Sequence, residues 1–336
     1  MLKANTYILT TEGQVPIQDI RTGMQVLTGD GTWQPVLTTT HTCAPTLLMR
    51  GNHYGLSCTP NQLLLTPNGM IHAKDMEGEC YLTPNRIDPL LIPQPHARTF
   101  RKGNVMPAMD EDFFYFIGRW LGDGWVRIGK VAGKPNATYG RILICDSLDK
   151  EQELRATVEK VAGYYHIVKT KSVVRFEFTN KMMCDWVIEN FGKNAEGKYL
   201  PSWIFGISDT LQKALFKGYF DSDGYLYQEK IRELTTISNG LALGLRILGE
   251  VQGYSTRIAK FTPTPTKILK GQIVNQSTYY RTSLTYGKTK TKIFCSELHS
   301  GYKITNITPD GTGDVYEIKV AGGGGYVAEG IVVGGE

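Results

Sequence analysis

The chain has 336 residues, of which 41% are hydrophobic and 21% are charged. These values exclude a disordered or fibrous protein and suit a soluble globular chain of two domains. No apolar run is long enough to span a bilayer and no signal peptide is visible, so we expect no membrane partner.

The distribution of charge and the cysteine spacing add two expectations. The net charge is +5, but from Gly224 to Lys303 twelve Lys and Arg residues accompany four Asp and Glu residues, a surplus of 12 − 4 = +8. Such a segment indicates a polyanionic partner. The six cysteines show neither CxxC nor a metal-ligand spacing, which predicts reduced thiols in an intracellular protein. We expect it in the cytoplasm or nucleoid of a prokaryote or phage, or in a eukaryotic nucleus.

Residues 1–95 predict β structure, because short apolar or alternating runs such as TYILT, QVLTG and GLSCT are separated by Gly, Pro, Asn and Asp. The closing runs VYEIKV and EGIVV predict strands that return to this N-terminal part. Residues 96–110 are basic and contain proline, which predicts a linker.

Residues 111–292 predict an internal repeat, with halves at about 111–192 and 198–292 that are each interpreted as αββαββα. Each half opens with an apolar run that ends in Asp-Gly, and the two acids are 223 − 123 = 100 residues apart. The runs predict helices over 112–121 and 211–220, within two residues. We expect the glycine that ends each run to take the left-handed conformation of a helix stop.

Small residues recur one turn apart on these helices, at Gly118/Gly122 and at Gly218/Ser222. Spacing of this kind predicts a close helix crossing, which would place Asp123 and Asp223 side by side at two negative helix ends. Two carboxylates there require a cation, and oxygen ligands favour Mg²⁺. A single Asp-Gly after an apolar run is an ordinary turn, but two copies favour a site.

The runs FIGRWLGDG and FKGYFDSDG are similar to the LAGLIDADG motif, and the chain resembles the LAGLIDADG homing endonucleases. The resemblance implies an α+β endonuclease with two pseudo-symmetric halves that acts as a monomer on a long specific site in double-stranded DNA. It implies phosphodiester hydrolysis assisted by Mg²⁺, with Mn²⁺ as a substitute. Asp123 and Asp223 would be the catalytic metal ligands, with the carbonyls of Gly122 and Ser222 as additional ligands.

The segment GKNAEGKYLPSWI resembles the Lys-x-Ile-Pro element of this family. The resemblance implies that Lys198 is catalytic and polarises or deprotonates the attacking water. An exposed loop lysine without a role is the alternative interpretation. One of Lys288, Lys290 and Lys292 is expected to be a second active-site lysine, and the sequence does not choose among them.

The two ends of the chain resemble an intein, or Hint, domain. The stretches that carry this resemblance are MLKANTYILTTEGQVPIQDIRTGMQVLTGDG, GLSCTPNQLLLT and VYEIKVAGGGGYVAEGIVVGGE. The fold class is therefore expected to be mixed: an all-β Hint domain from residues 1–95 and 293–336, interrupted by the α+β LAGLIDADG endonuclease.

The residues that carry splicing chemistry in inteins are replaced here. Met1 stands where the family has a Cys or Ser nucleophile, Gln62 follows Thr59 where the family has His, and Gly334-Gly335 stand where it has His-Asn. A thioether cannot attack a carbonyl, an amide is no general acid or base, and glycine cannot cyclise. These departures predict that protein splicing is lost.

Basic residues on the predicted strands are expected to form DNA-reading sheets, since β-ribbons can enter the major groove. Taken singly, each is more often a phosphate contact or a solvated charge. Two further arginines lie in segment 96–102, through which the β domain would extend the DNA contact. The candidates are Arg127, Lys130, Arg141, Lys169, Lys171, Arg175, Lys230, Arg232, Arg257, Lys260, Arg281, Lys288, Lys290, Lys292, Arg98 and Arg101.

Two other functions stay open at this point. One is an intein that still splices by an unusual route, which the three replaced positions oppose. The other is a non-catalytic, maturase-like protein that binds nucleic acid, which the retention of both acids opposes.

Overall fold

The structure is a computed structural model that describes residues 1–52, 55–94, 105–131, 133–228, 230–264, 266–269, 272–286 and 292–334. The N-terminal part is built from short strands between turns, as its sequence pattern predicts. Its strands are β1 (Leu2–Lys3), β2 (Tyr7–Thr10), β3 (Gly13–Pro16), β4 (Gln25–Leu27), β5 (Trp33–Arg50), β6 (Leu56–Cys58), β7 (Leu63–Thr66), β8 (Gly69–His72) and β9 (Cys80–Pro84).

The central part alternates helices with strands. The first half contains α1 (Glu111–Asp123), β10 (Gly124–Val131), β11 (Lys134–Ser147), α2 (Glu151–Val161), β12 (His166–Lys169), β13 (Val173–Thr179) and α3 (Lys181–Phe191). The second half contains α4 (Asp209–Asp223), β14 (Gly224–Tyr227), β15 (Ile231–Thr236), α5 (Asn239–Val251), β16 (Ser255–Phe261), β17 (Thr266–Leu269), β18 (Gln272–Asn275) and β19 (Tyr279–Thr285). No helix within the described ranges has the length and apolar character needed to cross a membrane.

The closing strands pair with the N-terminal ones, as their apolar runs predict. They are β20 (Lys292–Cys295), β21 (His299–Lys303), β22 (Asn306–Val320), β23 (Tyr326–Ala328) and β24 (Ile331–Val333). Strand β22 pairs with β5 and β1, β23 with β2, and β24 with β7, within one eleven-stranded sheet. Strands β20, β21 and β9 form a separate sheet, so the predicted boundary at 292/293 falls inside β20.

The internal repeat is visible in two four-stranded antiparallel sheets of equivalent order, β10-β11-β13-β12 and β14-β15-β19-β16. Their registers also correspond, because Gly124 lies opposite Ile144 in the first sheet and Gly224 opposite Leu234 in the second. One prediction is wrong. The first half is αββαββα, but in the described residues no helix follows β19, and the hairpin β17–β18 is an addition.

The β part and the central part share a hydrophobic core. Leu9, Leu27 and Val327 of the β part belong to the same buried cluster as the residues of α1 and α4. Polar contacts cross the same boundary: Arg246 of α5 is 1% exposed and donates from Nη1 to the Glu329 carbonyl at 2.7 Å. Because apolar burial is the main stabilising contribution, the two parts are expected to unfold together.

Replacing Arg246 tests this shared core. Arg246→Met removes the donor to the buried Glu329 carbonyl and should lower the free energy of unfolding by about 2–3 kcal/mol while leaving a single cooperative transition. Denaturant unfolding followed by circular dichroism and tryptophan fluorescence measures both. The exposed Arg257 provides a control, since Arg257→Met should change stability by less than about 0.5 kcal/mol. Two separate transitions in the parent protein would contradict the shared core.

Candidate active site

The site begins with the crossing of α1 and α4. A Cβ atom added to Gly118 would lie 2.0 Å from the Leu215 carbonyl oxygen, and one added to Gly218 would lie 2.1 Å from the Tyr115 carbonyl oxygen. No Cβ fits at such distances, so only glycine allows the two backbones to touch. The predicted close crossing is confirmed.

Both helices include the acids as their last residues, Asp123 and Asp223; α1 has the predicted bounds to within two residues, whereas α4 ends three residues beyond the predicted 220. The expected left-handed stop is wrong: Gly124 has φ −107° and Gly224 has φ −94°, both extended. Glycine is required there for space, because a Cβ on Gly124 would lie 2.2 Å from Trp120 Cδ1 and one on Gly224 would lie 2.3 Å from the Phe220 carbonyl oxygen. Each glycine therefore begins a strand directly after an acid.

The crossing brings the two acids into one site. The Ser222 hydroxyl, next to Asp223 in α4, donates to Asp123 Oδ2 at 2.6 Å. Asp223 is a solvent-exposed residue, but desolvation of its carboxylate by the surrounding protein raises its pKa to about 6, and the negative charge of Asp123 adds to this effect while Lys198 opposes it. Ionisation of Asp123 therefore disfavours ionisation of Asp223, which is the charge conflict that the sequence predicts.

Lys198 lies beneath the acids and is only 3% exposed, so the interpretation as an exposed loop lysine is wrong. Its Nζ donates to the carbonyls of Trp120, Leu121 and Gly124 at 3.0, 2.8 and 2.7 Å. Burial lowers its pKa to about 8, although both acids favour the charged form. The ammonium thus caps the negative end of α1. A catalytic role for it stays a prediction.

The backbone of Lys198 is fixed from the other half of the molecule. Ser238 Oγ donates to the Lys198 carbonyl at 2.6 Å and accepts from the Leu241 backbone N–H at 3.2 Å, which caps α5. Lys198 therefore connects the end of α1 in the first half to the start of α5 in the second half.

The oxygen atoms at this site suit a hard divalent ion. Within the described ranges, no group of three or more His, Cys, Asp or Glu side chains could hold a metal. Asp123 and Asp223 would hold Mg²⁺ or Mn²⁺ together with backbone carbonyls, and water and phosphate oxygens would complete the coordination, which Mg²⁺ tolerates. The Gly122 carbonyl, one predicted ligand, also lies 3.4 Å from Lys198 Nζ.

Sequence reasoning missed Cys145, whose thiol donates to the Asp123 carbonyl at 3.4 Å. The signal that could have found it is the pairing of the strands that follow each acid. Cys145 follows Ile144, the residue opposite Gly124, and lies opposite Arg175. At the equivalent place in the second half, Thr235 lies opposite Arg281. Arg175 and Arg281 are therefore equivalent by pseudo-symmetry.

Five of the predicted DNA-binding arginines share the sheet faces that point away from the buried core. In the first half, Arg127 lies opposite Arg141, and in the second half Arg257 lies opposite Ser283, two residues from Arg281. Glutamates of the same sheets hold three of them, because Arg175 and Arg141 lie 2.6 and 3.3 Å from Glu177 and Arg281 lies 3.5 Å from Glu233. We call this surface the arginine face: Arg127, Arg141, Arg175, Arg257 and Arg281.

Four other DNA-binding candidates lie at the alternate positions of their strands, whose side chains are on the core-side face of the sheets. Lys169 lies opposite the buried Val174 and pairs with Glu151 at 2.5 Å. Arg232 lies opposite the buried Leu284, with its guanidinium 5.3 Å from the centre of the Phe220 ring. Lys130 and Lys260 share the parity of Val126 and Ile258, whose side chains are buried. Sequence spacing alone did not separate the two faces.

The remaining candidates lie elsewhere or outside the described residues. Lys171 and Lys230 lie in turns, and Lys292 begins β20 opposite Tyr302. Outside the described residues are Arg98, Arg101, Lys288, Lys290 and Gly335.

The residues that were compared with intein splicing positions in the sequence lie close together at the β sheet. The Thr59 backbone N–H donates to the Met1 carbonyl at 2.9 Å. Gln62 is 3% exposed, and its Nε2 donates to the carbonyls of Gly334 and Leu63 at 2.6 and 3.0 Å. Gln62 therefore ties the end of β24 to β7 through hydrogen bonds that an amide donor satisfies.

No protein-family model matches the chain. It is 28% identical over 196 residues to a DNA polymerase of a Thermococcus species, covering 57% of this chain and 11% of that protein. It is 21% identical over 319 residues to an ATP-dependent DNA helicase of Thermococcus kodakarensis, covering 76% and 28%. It is 23% identical over 231 residues to the replication factor C small subunit of Methanocaldococcus jannaschii, covering 62% and 12%. The chain thus spans only about a tenth to about a quarter of the length of these curated relatives.

Two kinds of solved structure are similar to parts of the chain. Variants of the homing endonuclease I-DmoI are 15% identical with a TM-score of 0.37, covering 53% of this chain and 89% of that one. The gp41-1 intein is 22% identical with a TM-score of 0.23, covering 24% and 66%. Other similar I-DmoI structures contain DNA with Ca or with Mn. At these TM-scores the likeness is coarse.

Removing the Asp223 charge should stabilise the protein. Its folded-state pKa of about 6 lies above the ordinary value of about 4, so the folded state holds its proton more tightly. The stability from that proton is present below about pH 4 and is lost as the pH rises through 6. At pH 7.5, Asp223→Asn should therefore raise the free energy of unfolding by about 1 kcal/mol, after allowance for solvent screening.

Denaturant unfolding at pH 7.5 and at pH 4 measures this difference, which should vanish at the lower pH. Asp221→Asn provides a matched control on the same helix, because Asp221 accepts a hydrogen bond from Tyr115 at 2.7 Å and pairs with Lys217. That variant should lose stability. An Asp223→Asn protein less stable than its parent at pH 7.5 would contradict the charge conflict.

Proposed function

We propose that this protein is an intein-derived, site-specific homing endonuclease of the LAGLIDADG kind that cuts double-stranded DNA and no longer splices. The observation that carries the proposal is the pair of acids, Asp123 and Asp223, delivered to one site by two helices that cross in backbone contact. Each acid is followed directly by a strand of a sheet that contributes to the arginine face.

In this proposal the acids bind the metal and the arginine face binds the DNA. Divalent ions, Mg²⁺ or Mn²⁺, would be held by Asp123 in one half-site and by Asp223 in the other, and would supply charge stabilisation at the scissile phosphates and a lowered pKa for the attacking water. The five arginines bind backbone phosphates and orient the duplex, since arginine matches phosphate geometry. Lys198 holds the end of α1 in place and adds a positive charge below the acids.

The partial matches to curated proteins support an inserted element. The chain matches small portions of a DNA polymerase, a DNA helicase and a replication factor. A segment shared by proteins with three different activities is not expected to carry any one of those activities. Insertion into replication proteins fits an intein with an endonuclease, and the replaced residues Met1, Gln62 and Gly334 favour loss of splicing.

Cleavage of DNA by single-acid variants tests the proposal. Supercoiled plasmids carrying randomised inserts are incubated with the protein and Mg²⁺, and linear products are recovered and sequenced to define the target. Asp123→Asn and Asp223→Asn should each abolish double-strand cleavage of that target, while a mobility-shift assay finds DNA binding retained or tighter because a negative charge is gone. Asp221→Asn should still cut. Parental double-strand cleavage by either acid variant would refute the assigned site.

Lys198→Met separates the capping and chemical roles of this lysine. Loss of four carbonyl contacts should lower the free energy of unfolding by about 2–3 kcal/mol. At a temperature where the variant is fully folded, its cleavage rate should fall about a hundredfold with little change in DNA affinity. Lys193→Met, at an exposed position of the same loop, is the matched control. A parental cleavage rate in the folded variant would leave Lys198 with the capping role alone.

The absence of splicing is tested in a fusion. When the chain is placed in frame between two reporter domains, immunoblotting should detect only the full-length fusion, because Met1 cannot form a thioester and Gly335 cannot form a succinimide. The control carries Cys at position 1, His at 62 and His-Asn at 334–335, which should restore some junction cleavage. Ligated reporters from the unmodified sequence would overturn this part of the proposal.

A further inference from the structure

The two halves of the site differ at one pair of equivalent positions. Gly122 precedes Asp123 and Ser222 precedes Asp223. The Ser222 hydroxyl reaches across the crossing and donates to Asp123 Oδ2 at 2.6 Å. In the part of the chain that the structure describes, no side-chain donor reaches the Asp223 carboxylate. One acid is held by a hydrogen bond from the opposite half, and the other is not.

The helix crossing forces this difference. A Cβ added to Gly122 would lie 2.2 Å from Ser222 Oγ and 2.7 Å from Ser222 Cβ. These distances are far below van der Waals contact, so the space between the helices accepts a side chain from one half only. A serine at both positions would separate the helices, and the sequence places the single serine in the second half.

The hydrogen bond changes what Asp123 can do. A donor at Oδ2 restricts rotation of the carboxylate and leaves Oδ1 available to a ligand. A group that is already oriented loses less conformational freedom when it binds. Asp223 has to be ordered when the ligand arrives, so the two half-sites are unequal before DNA binds.

We propose that Ser222 is a positioning residue that prepares the Asp123 half-site to act first, so that the two strands of the target are cut in a fixed order. This inference rests on the proposed nuclease function. Its consequence is a nicked intermediate with one defined strand cut.

Strand-specific kinetics test the order. The two strands of the selected target carry different fluorescent end labels, and their cleavage rates in Mg²⁺ are followed separately. The Asp223→Asn variant keeps only the Asp123 half-site, so the one strand that this variant still cuts is the strand that the Asp123 half-site acts on. In the parent protein this strand should be cut on the order of tenfold faster, the value of one hydrogen bond to a charged group. Ser222→Gly should make the two rates nearly equal.

The exchange variant, Gly122→Ser with Ser222→Gly, provides the decisive comparison. It keeps the composition of the crossing and moves the hydroxyl to the other half, where the added Cβ would lie 3.3 Å from Asp223 Oδ2. A serine there can donate to Asp223, so the order of strand cleavage should reverse. A serine that served only helix packing would not reverse it.

Unfolding without metal or DNA gives an independent readout. Gly122→Ser alone should strongly raise the equilibrium constant for unfolding, and the exchange variant should recover most of the lost stability because its clashing partner is gone. A cycle of Ser222→Ala and Asp123→Asn should give a coupling on the order of tenfold in the unfolding constant. No coupling would overturn the hydrogen bond on which the inference depends.

The outcomes separate this inference from the proposed function. A parent protein that cuts both strands at one rate, or an exchange variant that keeps the parental order, overturns the positioning role and leaves the nuclease intact. A parent protein that cuts neither strand of any library sequence in Mg²⁺ overturns both.

Discussion

Backbone contact between α1 and α4 is the constraint on which the rest of the structure depends. Gly118 and Gly218 leave no room for a Cβ, and the same crossing decides that only one of positions 122 and 222 carries a side chain. Because the helices end at this point, their final acids meet. Two negative helix ends and two carboxylates then favour a cation, which makes the packing and the proposed chemistry consequences of one contact.

The surrounding structure holds that contact in place. Lys198 neutralises the end of α1 from below and is itself fixed by Ser238 of the second half. The β part adds a shared core and the Arg246–Glu329 contact behind α5. The β part is therefore expected to contribute to the stability of the central part.

The sequence predicted the features that repeat or alternate: the two motif helices, the paired acids, most strands and the return of the terminal strands. It did not predict features that depend on neighbours distant in the chain. The burial of Lys198, the reach of Ser222 to Asp123 and the approach of Cys145 to the site each require the folded crossing. The alternation of side chains along a strand separates Lys169 and Arg232 from the arginine face, but the strand register was needed to show that their face is the core-side one.

The most direct test of the central claim is the free energy of unfolding of Gly218→Ala. The added Cβ would lie 2.1 Å from the Tyr115 carbonyl oxygen, whereas one added to Gly240 of α5 meets only an ordinary contact at 3.5 Å. We expect Gly218→Ala to lose about 3 kcal/mol of stability, the upper end of the usual cost of overpacking, and Gly240→Ala to be neutral or stabilising because alanine favours a helix. Equal stability of the two variants would contradict the crossing that places the acids.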